Sequence, residues 1–197
     1  MRIFLVLPLL ALLAAPTLPA WSAPARTAAV KTAAQTAKET ESLQALQRRF
    51  EALDADAKRG LLREHWLRLI ADCAALAAAS KGETQVQAAF LAARGREELS
   101  NRSHSGADRR QAIAAYADLA GTYPRSALAP RSLYRQARLL GVILGRVKEA
   151  DAVLEALLRR YPQSRAAGEA KALRAALAAG AKTPAAAKAD PQAKKTA

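Results

Sequence analysis

From Leu43 onward, apolar residues recur at helical spacing. Leu43, Leu46, Phe50 and Leu53 fall at i, i+3, i+7 and i+10, which predicts a helix with one buried face. Asp54 and Asp56 interrupt the pattern and suit the cap of a second helix. That helix carries the strongest stripe in the chain: Leu62, Trp66, Leu69, Ile70, Cys73 and Ala77 all face one way, and Gly82 ends it. A third helix is expected over about 83–99, then a polar loop over 100–107 with Asp108 as the next cap. Four more helices are expected near 108–122, 128–143, 146–160 and 164–178.

The later helices repeat one another. Ala112, Tyr116, Leu119, Tyr123, Pro124, Ser126 and Ala129 recur as Ala150, Leu154, Leu157, Tyr161, Pro162, Ser164 and Ala167, each 38 residues further on. Both copies describe a helix with one packing face, a Tyr-Pro stop, and a Ser able to begin the next helix. A fixed period of this size predicts stacked helical pairs, each burying its apolar face against its neighbours. The expected fold is therefore all-α: a short α-solenoid of about seven helices arranged as antiparallel pairs. Two clear copies are fewer than the three usually needed, so the helices before residue 100 and after 164 must close the ends.

Ala112/Tyr116/Leu119/Pro124 and Ala150/Leu154/Leu157/Pro162 resemble the second-helix half of a tetratricopeptide repeat (TPR). Its first-helix half is duplicated too, Phe90-x-x-Ala93-Arg94 paralleling Tyr134-x-x-Ala137-Arg138 at a spacing of 44. The resemblance covers roughly residues 84–178 and lacks the Trp and the Leu-Gly pair of the usual first helix. Its Tyr-Pro-x-Ser ending is similar to the bacterial envelope subset of the family, such as Tol-Pal coordinator proteins and outer-membrane assembly lipoproteins. A looser resemblance, carried by Leu62-Arg63-x-x-Trp66, Phe90-x-x-Ala93-Arg94 and Tyr-Pro-x-Ser, is to the helical N-terminal region of bacterial N-acetylmuramoyl-L-alanine amidases. Those amidases hold zinc through His and Glu in a separate domain, and nothing in this chain corresponds to that domain.

The ends differ from the middle. Residues 1–25 read as a secretory signal: Arg2, an apolar run over 3–15 broken by Pro8, then Pro16 and Pro19, with small-x-small cleavage sites at Ala20-Trp21-Ser22 and Ala23-Pro24-Ala25. No cysteine lies there, which excludes lipoprotein processing, and the run is short for an uncleaved membrane anchor. Residues 26–40 are polar, small and unpatterned and read as a flexible spacer. The helical domain is expected over 41–178. The Ala/Lys/Pro stretch 179–197 reads as a disordered tail.

Composition then narrows the chemistry. The chain has 197 residues and a formal net charge of +14, which raises anionic polymers, anionic membranes and nucleic acid as partners. One cysteine allows no intramolecular disulfide. Cys73 sits in the apolar stripe and reads as a buried small hydrophobe, while His65 lies on a different face of the same helix. His104 reads as a solvated loop residue. Two histidines without spaced partners make no zinc set, and no phosphate-binding Gly-rich loop or nucleophile elbow is present. Asn101-Arg102-Ser103 matches a glycosylation acceptor, but three residues in a loop are a weak signal. No catalytic, cofactor-binding or metal-binding residue is therefore expected.

The informative charge lies in the repeats. Within 123–177 there are eleven Lys or Arg against four Asp or Glu. Arg131, Arg135 and Arg138 fall at i, i+4 and i+7, on one helix face. With Leu133, Tyr134 and Ala137 packing, the TPR resemblance implies that these arginines point into the concave groove. They could grip carboxylates or phosphates by bidentate contacts, or form a solvated Arg face. The expectation is an exported, non-enzymatic, periplasmic or secreted scaffold that binds a protein or peptide partner, acidic by the Arg stripe. An accessory role in a peptidoglycan amidase system is the alternative. A basic nucleic-acid binder comes third, disfavoured by export and by the lack of a binding motif.

Overall fold

A computed structural model describes residues 23–181, with side chains described for 35–180. Contacts divide the chain into two compact units, Met1–Gln35 and Thr36–Ala197. The described part of the first is helix, residues 23–35. The second holds the core and the groove. Among the described residues seven α-helices follow one another: α1 (Ala23–Ala55), α2 (Arg63–Ala79), α3 (Gly82–Ser103), α4 (Gly106–Thr122), α5 (Leu128–Arg138), α6 (Val147–Arg160) and α7 (Arg165–Ala181). A 3-10 turn, Arg59–Leu61, precedes α2, and α5 runs on into a π-helical turn, Leu139–Ile143.

Each helix from α2 to α7 packs on the next in sequence, and α3 also meets α5 as α5 meets α7. Contacts of similar extent do not join α2 to α4 or α4 to α6 among the described residues. Helices α3, α5 and α7 thus approach one another more closely than α2, α4 and α6 do, which makes theirs the inner layer of the stack. The repeat explains the packing. Ala112, Tyr116, Leu119 and Ala129 are buried, as are their counterparts Ala150, Leu154, Leu157 and Ala167. Alanine at the contact points lets helix axes approach closely, and Gly95 does so further, since a Cβ there would stand 2.9 Å from Ile70.

The Tyr-Pro-x-Ser turns fold alike. Ser126 N–H donates to Tyr123 O at 3.0 Å and Ser164 N–H to Tyr161 O at 3.1 Å. Ala129 and Ala167 then donate to Ser126 O and Ser164 O. Proline ends hydrogen bonding of the preceding helix, and Ser turns the chain into the next. The second copy's Tyr161 hydroxyl also donates to the first copy's Pro124 O at 2.7 Å, tying one repeat to its neighbour.

Several expectations change. The signal segment lies outside the described residues except for its last three, and the tail lies outside them from residue 182. Where a flexible spacer is expected over 26–40, the residues are helical within α1. The stretch has no Gly or Pro, and Ala, Lys and Gln favour helix. Leu62 is not on the buried stripe: it stands in extended backbone just before α2 and is 46% exposed. Asp56 accepts the N–H groups of Lys58 and Arg59, and so closes the 3-10 turn instead of capping α2. The expected polar loop over 100–107 shrinks to His104 and Ser105, because α3 runs on to Ser103. Ser105, not Asp108, caps α4, accepting the Asp108 N–H. Asp108 is instead buried, receiving Arg63 of α2 at 2.5 and 2.8 Å and the Ser103 hydroxyl at 2.7 Å.

Candidate partner-binding groove

The arginines of α5 share one helix face, and α5 belongs to the inner layer. Leu133 and Ala137 turn into the core formed by α4, α6 and α7, with Tyr134 half-buried beside them. This leaves Arg131, Arg135 and Arg138 to line one cleft of about 250 Å³ between α5 and α7, with Tyr134, Arg165 and Glu169. The three residues expected to act together are therefore brought together.

What the stripe faces is a second matter. Glu97 of α3 is 0% exposed and sits under these arginines. Arg135 Nη1 donates to its Oε2 at 2.7 Å, Arg138 Nη2 to its Oε1 at 2.8 Å, and the buried Tyr116 hydroxyl to Oε2 at 2.6 Å. Burial alone would raise the carboxyl pKa. The Tyr116 hydroxyl and the two guanidinium groups outweigh it and hold Glu97 below the ordinary carboxylate value. Burial, with the Glu97 charge beside it, pushes the Tyr116 hydroxyl well up, so it stays a donor.

Two of the three stripe arginines thus share an internal counter-charge. Arg165 has Glu169 at 3.7 Å one turn on. Arg131 differs: no carboxylate of the described residues lies within ion-pair distance, and its guanidinium rests over the Phe90 ring at 5.5 Å.

Glu97 and Tyr116 go unnoticed as partners in the sequence, although a signal exists. Val86, Phe90, Ala93, Glu97 and Ser100 are all buried and fall at i, i+4, i+7, i+11 and i+14. A carboxylate on an otherwise small and apolar stripe must find donors in the core.

The groove continues past Arg131. A hollow of about 420 Å³ opens between α1, α3 and α5, with Phe50 and Phe90 at its base and Arg94 and Arg131 on its walls. Arg94 lies over the Phe50 ring at 4.3 Å. Elsewhere, burial pushes the Cys73 thiol up to about 12, with Asp72 adding to the effect, so it is an inert core group. No group of three or more His, Cys, Asp or Glu placed to hold a metal occurs among the described residues, and no described helix is long and apolar enough to cross a membrane.

Residues 131–164 match the tetratricopeptide repeat family. The match runs from Arg131 in α5, through α6, to the second Tyr-Pro-x-Ser turn. No curated protein and no solved structure matches the chain. With seven α-helices and no strand among the described residues, the protein has an all-α, TPR-like fold. A repeat of this class points to a protein–protein interaction scaffold.

Proposed function

We propose that this protein is an exported, non-catalytic scaffold that holds an acidic protein or peptide segment along its inner groove in the bacterial cell envelope. The observation that carries the reading is the cleft between α5 and α7. It gathers four arginines against one lining carboxylate, Glu169, with Glu97 buried beneath. A rigid concave surface with excess positive charge suits an extended anionic segment, since the helices hold the guanidinium groups in place before the partner arrives. The envelope assignment rests on the apolar, Pro-ended N-terminal sequence and the small-x-small sites that follow it.

A labelled oligoglutamate peptide is expected to bind the full chain and to weaken at least roughly tenfold from about 0.05 to 0.5 M salt, as screening shortens the reach of surface charge. Affinity that ignores salt would sink the charged-groove reading. Fractionation of the expressing bacterium should show a shortened form in the periplasm; a full-length, cytoplasmic form would overturn export.

A further inference from the structure

We infer that the hollow between α1, α3 and α5 is a separate carboxylate pocket, where Arg94 and Arg131 grip one acidic side chain of an extended peptide partner. The inference rests on the proposed acidic-peptide function and adds Arg94, which lies outside the Arg131, Arg135, Arg138 stripe, as a contact that shares Arg131 with it.

The four guanidinium groups are held in two different ways. Arg135 and Arg138 are fixed by their edges, with N–H groups donated to Glu97. Part of their donor capacity and half of their joint charge is thus answered inside the protein by the single Glu97 carboxylate. Arg94 and Arg131 are instead held over aromatic rings, their guanidinium carbons 4.3 Å from the Phe50 centroid and 5.5 Å from the Phe90 centroid. A ring attracts the cation through its π-face but supplies no counter-charge and no carboxylate acceptor. No ion pair to either residue forms among the described residues. Both guanidinium groups are consequently positioned but not neutralised, and both line the same hollow. That is the state in which a planar fork meets a carboxylate with little ordering cost.

The repeat places Arg94 there for a reason visible in the sequence. Phe90-x-x-Ala93-Arg94 and Tyr134-x-x-Ala137-Arg138 are copies, so Arg94 and Arg138 hold the same position on successive inner helices. One copy has Glu97 to answer it; the other has only the Phe50 face.

The rim selects the kind of anion. Glu51, exposed on α1, lines the same hollow together with Gln47 and Gln87. Two cations against one carboxylate favour a single negative charge, and the Glu51 carboxylate and glutamine side chains can accept N–H groups of a peptide backbone. A phosphate polymer offers dense charge and no such donors along its backbone, so Glu51 repels it. Arg131 lines both this hollow and the α5–α7 cleft, so a peptide seated here passes directly into the cleft.

The test is fluorescence anisotropy of the full chain with a labelled peptide of alternating Glu and Gly. Arg94→Gln and Arg131→Gln are each expected to weaken binding about tenfold, the loss of one charge-assisted hydrogen-bonded pair. Glu51→Gln is expected to tighten it about two- to threefold by removing a repelling charge. That gain cannot come from misfolding. Arg131 lines both sites, so Arg94 and Glu51 discriminate between them: if Arg131→Gln and Arg165→Gln weaken binding while Arg94→Gln and Glu51→Gln leave it unchanged, the α5–α7 cleft stands and this pocket is overturned. If the wild-type chain does not bind the peptide, the acidic-peptide function falls and the pocket with it. If oligothymidylate binds more tightly than the peptide and displaces it, the occupant is nucleic acid and the inference is overturned.

Discussion

Replacing Trp66 by alanine is expected to destabilise the helical body by about 3–5 kcal/mol, the range for deleting a core aromatic. Trp66 is fully buried in the core shared by α1, α2 and α3. Phe50 of α1 meets its ring edge-on, with centroids 5.5 Å apart. Its Nε1 donates to Gly60 O at 2.8 Å, which anchors the 3-10 turn. Arg102 of α3 covers the ring at 4.7 Å and reaches Asp54 at 2.6 Å and Glu98 at 2.7 Å. The indole therefore joins three successive elements, and alanine would leave a cavity bounded by all of them. At about 2–4 °C per kcal/mol for a domain of this size, thermal unfolding should fall by roughly 10 °C. Trp66→Phe keeps most of the volume and leaves Gly60 O unpaired, so about 1 kcal/mol is expected. If Trp66→Ala barely changed unfolding, the N-terminal helices would not belong to the same cooperative unit as the repeats.

The second large effect is expected at Glu97. Glu97→Ala removes the shared acceptor of three donors, leaving the buried Tyr116 hydroxyl and the Arg135 and Arg138 guanidinium groups facing one another without a counter-charge. Breaking a buried pair from one side costs about 3–5 kcal/mol. Because Arg138 is about half exposed and Arg135 a quarter, solvent should hold the loss near the lower end, about 3 kcal/mol. Glu97→Gln keeps an acceptor oxygen and should cost less.

The pH dependence separates charge from packing. The Glu97 pKa is lowered in the folded chain from an ordinary value of 4.5. Its ionisation therefore adds stability above the unfolded-state value, and that contribution is lost as pH falls through the folded value. Urea unfolding at neutral pH and at about pH 3 reads this directly: the gap between wild type and Glu97→Gln should narrow in acid. A gap that stayed constant would show that the carboxylate's charge does not stabilise the fold.

How far sequence reasoning reaches depends on whether the deciding contact is local. The 38-residue repeat is a local statement: each copy carries its own helix period, Tyr-Pro stop and Ser turn, and all of them fold as those residues dictate. The Arg131, Arg135, Arg138 face is equally local, since helical geometry alone puts i, i+4 and i+7 on one side. So are the core roles of Trp66, Leu69 and Cys73, set by one amphipathic helix. Misreadings fall at helix ends. Leu62 continues the stripe in spacing but stands before the helix begins, and residues 100–103 extend α3 although their polarity suggests a loop. At such ends, capping competes with neighbouring contacts: Asp108 is drawn into a buried pair with Arg63, 45 residues away, and Ser105 caps in its place.

A local signal, the carboxylate on the small and apolar stripe of α3, shows that Glu97 needs donors but not which cations supply them. Glu97 meets Arg135 and Arg138 across 38 and 41 residues, and Arg94 and Arg131 settle on aromatic rings from other helices. By itself the sequence determined an all-helical repeat with three arginines on one helix face, because helix periods and turns are properties of neighbours along the chain. Only the tertiary structure decided which of those cations are answered by a buried carboxylate and which stand open, because a charge is neutralised by whatever packing brings within a few ångströms of it.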